Sequence, residues 1–257
     1  MTKGKMVMAA VSIAVVAVFG VGRLFSGPAA SEVVLNIYGP GGPQAPVQEC
    51  ADIFAKDNNI KIKVSGGSDD KWIESAKKDA DIIFGAAEHQ LYEFVQEFPG
   101  LVDVKTRTTL YVQPGGILVR KGNSKKITSV TDLAKDGIRI MDVTGAGQTA
   151  LWEDIAGLNG VIPQIQRNIV VSVKTTGAAI EQWRTVPELD AWIAFESWSY
   201  RIKDTFEVVK LPEASRIYRG TPIALTTISK NREMAQKFLE FLKTEPAHAI
   251  FQKYGWK

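Results

Sequence analysis

The chain has 257 residues, of which 45% are hydrophobic and 23% charged. That composition excludes a disordered or fibrous chain and allows one large or two modest domains. The formal net charge of +3 belongs to the N-terminus: 31 basic residues less Lys3, Lys5 and Arg23 leaves 28 against 28 acidic ones. A neutral body argues against a nucleic-acid partner.

Lys3 and Lys5 precede an uncharged apolar run from Met6 to Gly22, and Ser26-Gly27-Pro28-Ala29-Ala30 supplies small residues suited to cleavage. This pattern predicts a secretory signal peptide over residues 1–30, export to the periplasm, and membrane contact only through that segment. A retained anchor is the alternative reading, but the run is short for a span and Arg23 closes it. Cys50 is the only cysteine, so no internal disulfide can form; it shares a helical face with Val47 and Phe54 and is expected in the core.

From residue 33 strand and helix patterns alternate. The expected strands are 33–38, 60–64, 81–84, 101–104, 109–112, 117–120, 138–143, 168–174, 191–195, 206–211 and 223–228. Helices are expected at 45–56, around Trp72 and Ala76, at 88–98, 130–135, from 148 to 158, around Ala179 and Trp183, at 196–201, 231–243 and 245–253. Alternation of this kind predicts parallel α/β sheets. Pro114-Gly115-Gly116 and the stretch Ile217–Pro222 interrupt extended runs and read as crossings between domains. They divide the body into an outer lobe, 31–113 with 222–257, and an inserted lobe, 114–221. A ligand cleft between the lobes would be faced by the loops at strand C-terminal ends.

Five such loops share a glycine, serine and threonine composition, and most of them open a helix. They supply Gly41 and Gly42; Ser65 and Gly66; Ala86 and Ala87; Gly145, Ala146, Gly147, Gln148 and Thr149; and Thr176. Glycine turns of this kind bring free N–H groups and the positive end of a helix dipole toward an anion. Glu196 and Ser197 follow the strand 191–195, Trp198 and Tyr200 are candidates for the pocket wall, and Arg219 stands at the return crossing, with Arg184 and Arg216 as further candidate cations. An arginine fork would hold a carboxylate or phosphate through parallel bonds.

Gly145-Ala146-Gly147-Gln148-Thr149-Ala150 also fits the dinucleotide pattern G-x-G-x-x-A. That pattern needs an acid at the end of the next strand, which here ends Val173-Lys174-Thr175-Thr176. Neither a cofactor nor a metal is expected: no H-E-x-x-H and no cysteine cluster is present. His89 and His248 are the only histidines and G-x-S-x-G is absent, so no catalytic residues are assigned and an enzyme is not expected.

Tyr38-Gly-Pro-Gly-Gly-Pro43, Ala80-Asp-Ile-Ile-Phe-Gly85, Gly145-Ala-Gly-Gln148 with Leu151-Trp-Glu-Asp154, Asp190-Ala-Trp192, Arg216-Ile-Tyr-Arg219 and Ile250-Phe-Gln-Lys-Tyr-Gly-Trp256 together resemble the accessory colonization factor C family. That family is similar to the type II periplasmic binding proteins, close to the molybdate-binding ones. Val64-Ser-Gly-Gly-Ser68 and Phe238-Leu-Glu-Phe-Leu242 resemble the molybdate binders as well. The resemblance implies a two-lobed binding protein with its ligand in the cleft; with the signal pattern and the two crossings, the expected protein is exported and closes by a hinge motion on a small anion. Molybdate binders use serines in the first cleft loop, but Gly39–Pro43 has none, which favours a larger anion bearing a carboxylate, phosphate or sulfate group. The implied partners beyond the ligand are an ABC-type importer or a host surface, with a homodimer as a further option. An adhesin recognising a host surface or glycan is the rival function.

Overall fold

The computed structural model describes Met1, residues 33–202 and residues 204–257, and the expected signal segment lies outside the described residues. Among the described residues no helix is long and apolar enough to cross a membrane.

The first strand, β1 (Val34–Pro40), buries Leu35 and Ile37 completely. It leads through a glycine turn into α1 (Gln44–Asn58), whose Val47, Cys50 and Phe54 face the core as their spacing predicts. Then come β2 (Lys61–Gly67), a 3-10 turn at Asp69–Lys71, α2 (Ile73–Asp79), β3 (Ile82–Phe84) and α3 (Glu88–Glu97). The long β4 (Thr108–Arg120) precedes α4 (Val130–Leu133) and β5 (Ile140–Val143). A 3-10 turn at Ala146–Gln148 opens α5 (Leu151–Leu158), followed by α6 (Ile162–Asn168), β6 (Ile169–Val173) and α7 (Thr176–Thr185). The chain ends with β7 (Ala191–Phe195), α8 (Trp198–Arg201), β8 (Phe206–Val209), β9 (Tyr218–Leu225), α9 (Arg232–Phe241) and α10 (Glu245–Lys253).

The strands pair in the order β2-β1-β3-β9-β4-β7-β5-β6, with β8 also on β4. Within this mixed arrangement β2-β1-β3 and β7-β5-β6 are parallel trios, one in each lobe of the α/β fold. The antiparallel strands β9 and β4 join them. Buried apolar side chains separate in the same way. One cluster draws on residues from Ile117 to Leu211, and two others on residues before Asp103 and after Pro222. Each fully buried Leu, Ile, Val or Phe contributes ~1.5–3 kcal/mol, so each lobe has its own source of rigidity.

Several expectations change in the structure. Pro114-Gly115-Gly116 is not a break in the extended run. β4 continues through it and changes partners, from β9 over Thr108–Pro114 to β7 and β8 beyond. The glycines are there for space: a Cβ on Gly116 would fall 2.8 Å from Glu196 Cγ, and one on Gly115 3.1 Å from Ile155 Cδ1. Likewise β9 runs unbroken through Thr221-Pro222. In place of a strand at 101–104 there is an isolated bridge between Val102 and Thr226, then a 3-10 turn at Val104–Thr106 that Asp103 caps by accepting from the Lys105 N–H at 3.2 Å. A short polar side chain at that position draws the backbone out of the ladder. α6, with Pro163 in its first turn, is an element beyond those expected.

A cleft built from helix N-termini

A cavity of about 440 Å³ opens at the C-terminal ends of the parallel strands. One wall comes from the first lobe. Pro40 ends β1, Gly41 and Gly42 follow it and Gln44 begins α1, while Gly67 ends β2, Ser68, Asp69 and Lys71 come after it, and Ala86 comes after β3. The opposite wall holds Gly147 and Gln148 after β5 and Lys174 to Ala178 at the start of α7. Ile180, Phe195, Trp198 and Arg201 complete it.

Two helices aim their first turns at this space. Thr175 caps α7: its Oγ1 accepts from the Ala178 N–H at 3.2 Å and its carbonyl from the Ala179 N–H at 3.0 Å. α1 starts after Pro43, whose carbonyl accepts from the Val47 N–H. Neither helix has an acidic residue in its first turn, so nothing on the helix itself offsets the positive end of either dipole. Each such end favours an anion by ~0.3–1 kcal/mol at an exposed site and more where water is excluded.

The charged side chains of the wall are mostly cationic. Lys71 and Lys174 have no side-chain hydrogen bond or ion pair among the described residues. Arg201 donates from Nη1 to the carbonyl of Gly41, a contact from α8 across to the first loop, and its guanidinium carbon lies 4.8 Å from the centre of the Trp198 ring. No carboxylate pairs with it among the described residues, and loss of hydration draws its pKa below the ordinary arginine value. Asp69 is the one acid on the wall. Burial, then Glu97, Asp70 and Glu93, push its carboxyl up to about 6.

Besides the Arg201–Gly41 bond, the two walls meet at Gly147 and Ala86. A Cβ on Gly147 would fall 2.7 Å from Ala86 Cβ and 2.8 Å from the Ala86 carbonyl oxygen, so only glycine lets these loops meet. Beside it Gln148, 3% exposed, donates from Nε2 to Thr176 Oγ1 at 2.8 Å, and its Oε1 is buried without a partner. Buried Gln113 of β4 steadies the same region: its Nε2 donates to the Ala86 carbonyl at 2.9 Å and its Oε1 accepts from Ser197 Oγ at 3.0 Å.

Of the residues expected at the ligand, Gly41, Gly42, Ala86, Gly147, Gln148 and Thr176 line the cavity together, as does Trp198. Ala146 lies in the same 3-10 turn as Gly147 and Gln148. The others stand off the lining. Ser65 and Gly66 are still inside β2, paired with Tyr38 and Gly39. Ala87 is the buried residue before α3, and Gly145 packs against the Lys174 carbonyl. Thr149 Oγ1 donates to the Thr144 carbonyl at 3.3 Å. Glu196 sits 3.7 Å from Arg216, Ser197 is held by Gln113, and Arg219 pairs with Asp154. Tyr200 and Arg184 are exposed away from the cavity. Sequence reasoning passed over Asp69, Lys71, Lys174 and Arg201. The signal was positional: Lys174 directly follows β6, Asp69 and Lys71 the end of β2, and Arg201 comes one helical turn after Trp198.

Residues 35–257 match the family model for bacterial extracellular solute-binding protein, and the chain belongs to that family. It is a binding protein, not an enzyme, with the fold of the type II periplasmic binding proteins. Among solved structures, PEB3 with L-phospholactate bound is 31% identical over 87% of this chain and 99% of that one, with a TM-score of 0.81. Peb3 from Campylobacter jejuni is 31% identical over the same shares, with a TM-score of 0.79. The periplasmic molybdate-binding protein of Azotobacter vinelandii shares the fold at 17% identity, over 87% of this chain and 98% of that one, with a TM-score of 0.64. No curated protein matches the chain. The family and these structures agree with the resemblance carried by the sequence motifs.

Proposed function

We propose that this protein is exported by its N-terminal signal segment and closes on a small anion bearing a carboxylate, phosphate or sulfate group. The observation that carries this reading is the cavity of about 440 Å³, onto which two helix N-termini converge with Lys71, Lys174 and Arg201. N–H groups of the first turns of α1 and α7 would receive the oxygens, and the lysines would supply the counter-charge. The 31–113 and 222–257 lobe would close against the 114–221 lobe by bending where β4 and β9 cross between them. L-phospholactate on PEB3 supports a ligand of this kind, because it joins a phosphoryl group to a carboxylate. An ABC-type importer is the partner this role calls for.

Thermal melting with an anion panel tests the reading. A ligand at about 100 times its Kd adds ~2.7 kcal/mol to stability by mass action. For a chain of this size that raises Tm by roughly 5–10 °C. L-phospholactate, citrate, phosphate and sulfate form the panel, and at least one is expected to give such a shift. A flat response to all of them, at saturating concentration, would sink the reading.

A further inference from the structure

The cationic cavity also presents acceptors that an anion cannot satisfy. Asp69 lies half-buried on its wall, directly after β2. Asp70 beside it and Glu93 and Glu97 on α3 all oppose a charge there, and Gln90 on α3 is the one neighbour that favours it. Lys71 makes no ion pair with Asp69 among the described residues. Across the cavity Gln148 has its Nε2 engaged with Thr176, while Oε1 is buried and unpartnered. A carboxylate and an amide oxygen accept hydrogen bonds and donate none. An oxyanion without a proton would meet both with repulsion, and Gln148 Oε1, buried, would stay without a donor. A hydroxyl on the ligand would supply a donor to one of them, and an ammonium has hydrogens enough for both.

We propose that Asp69 is the specificity-determining residue of the cavity: it requires a ligand that carries, beside its anionic group, a hydrogen-bond donor, which Asp69 accepts. Gln148 Oε1 is the second acceptor. The ligand class is therefore a hydroxy- or amino-substituted acid, with the anionic part held as in the reading above, on which this inference rests. The discrimination works by rejection as much as by attraction, since sulfate offers a donor to neither acceptor.

Calorimetric titration with matched pairs tests this. L-phospholactate is compared with its 3-hydroxy derivative, and 3-phosphooxypropanoate with O-phosphoserine, which adds only an ammonium group. The hydroxyl arm and the ammonium arm tell the two kinds of donor apart. In at least one pair the donor-bearing member is expected to bind about tenfold tighter, equivalent to ~1.4 kcal/mol. In Asp69→Asn that preference is expected to fall to about threefold or less. Asp69→Ser serves if the asparagine variant folds poorly, and the wild-type comparison stands by itself in either case. Anions that bind without donor preference, or a preference unchanged in the Asp69 variants, would overturn this inference and leave the anion reading intact. Failure of every compound, together with a flat melting panel, would overturn both.

Discussion

Gly147 is the residue on which the two walls depend most directly. Its α-carbon faces Ala86 so closely that an added methyl would meet both the Ala86 side chain and its carbonyl oxygen. That carbonyl is itself held by Gln113, so it cannot easily move aside. Gly147→Ala is therefore expected to hold the loops apart with the rest of the fold intact, weakening anion binding by about tenfold or more, ~1.4 kcal/mol. Calorimetry on the variant, beside a circular dichroism spectrum matching wild type, checks it. Asp69 carries a pH signature. Its carboxyl is raised from 3.8 to about 6, so the folded state holds the proton more tightly than the unfolded chain. The stability this confers is present below the ordinary carboxylate pKa and is lost as pH rises through about 6. Asp69→Asn should therefore melt higher than wild type at neutral pH, with the gap closing near pH 4. A gap that is constant across that range would mean Asp69 titrates normally.

At the level of elements, the strands and helices of each lobe were legible because each carries its own period. β1 and β7 alternate or run continuously apolar, and α1 and α7 put one apolar face inward. Pro114-Gly115-Gly116 and Thr221-Pro222 read in the sequence as breaks, yet both lie inside unbroken strands. Proline and glycine commonly end an extended run, but Gly115 and Gly116 serve to admit Ile155 and Glu196 against an unbroken strand. Only tertiary neighbours distinguish those two uses. α6 was missed because its seven residues, about two turns, bury only Ile165, too little for a visible period. The glycine loops that open α1 and α7 line one cavity, because strand C-termini in an α/β lobe face the same side. The lysines and Arg201 were not read, since a single cation after a strand looks like any solvated side chain.

Across the whole molecule, β4 reaches cores on both sides, with Ile117, Leu118 and Val119 in one and Leu110 and Tyr111 against another, and β9 pairs along its first half. In the proposed closure the bend would fall where these strands pass between the two parallel trios. The surface charge is balanced once the N-terminal segment is set aside, so attraction of an anion has to come from the cavity and not from the protein at large. Six of the residues expected at the ligand share that cavity, and the ones that stand off it are held by structural bonds of their own, such as Arg219 with Asp154. The distinction lay in long-range partners, with Arg219 and Asp154 lying 65 positions apart. The central claim is that this cavity binds a small anion through its own cations and helix ends. Titrating L-phospholactate, citrate, phosphate and sulfate into wild type and into a Lys174→Ala, Arg201→Ala double variant by calorimetry tests it most directly. Saturable one-to-one binding of at least one anion by wild type, lost in the folded double variant, is the predicted result; no saturable heat from any anion, or equal affinity in the variant, would contradict it.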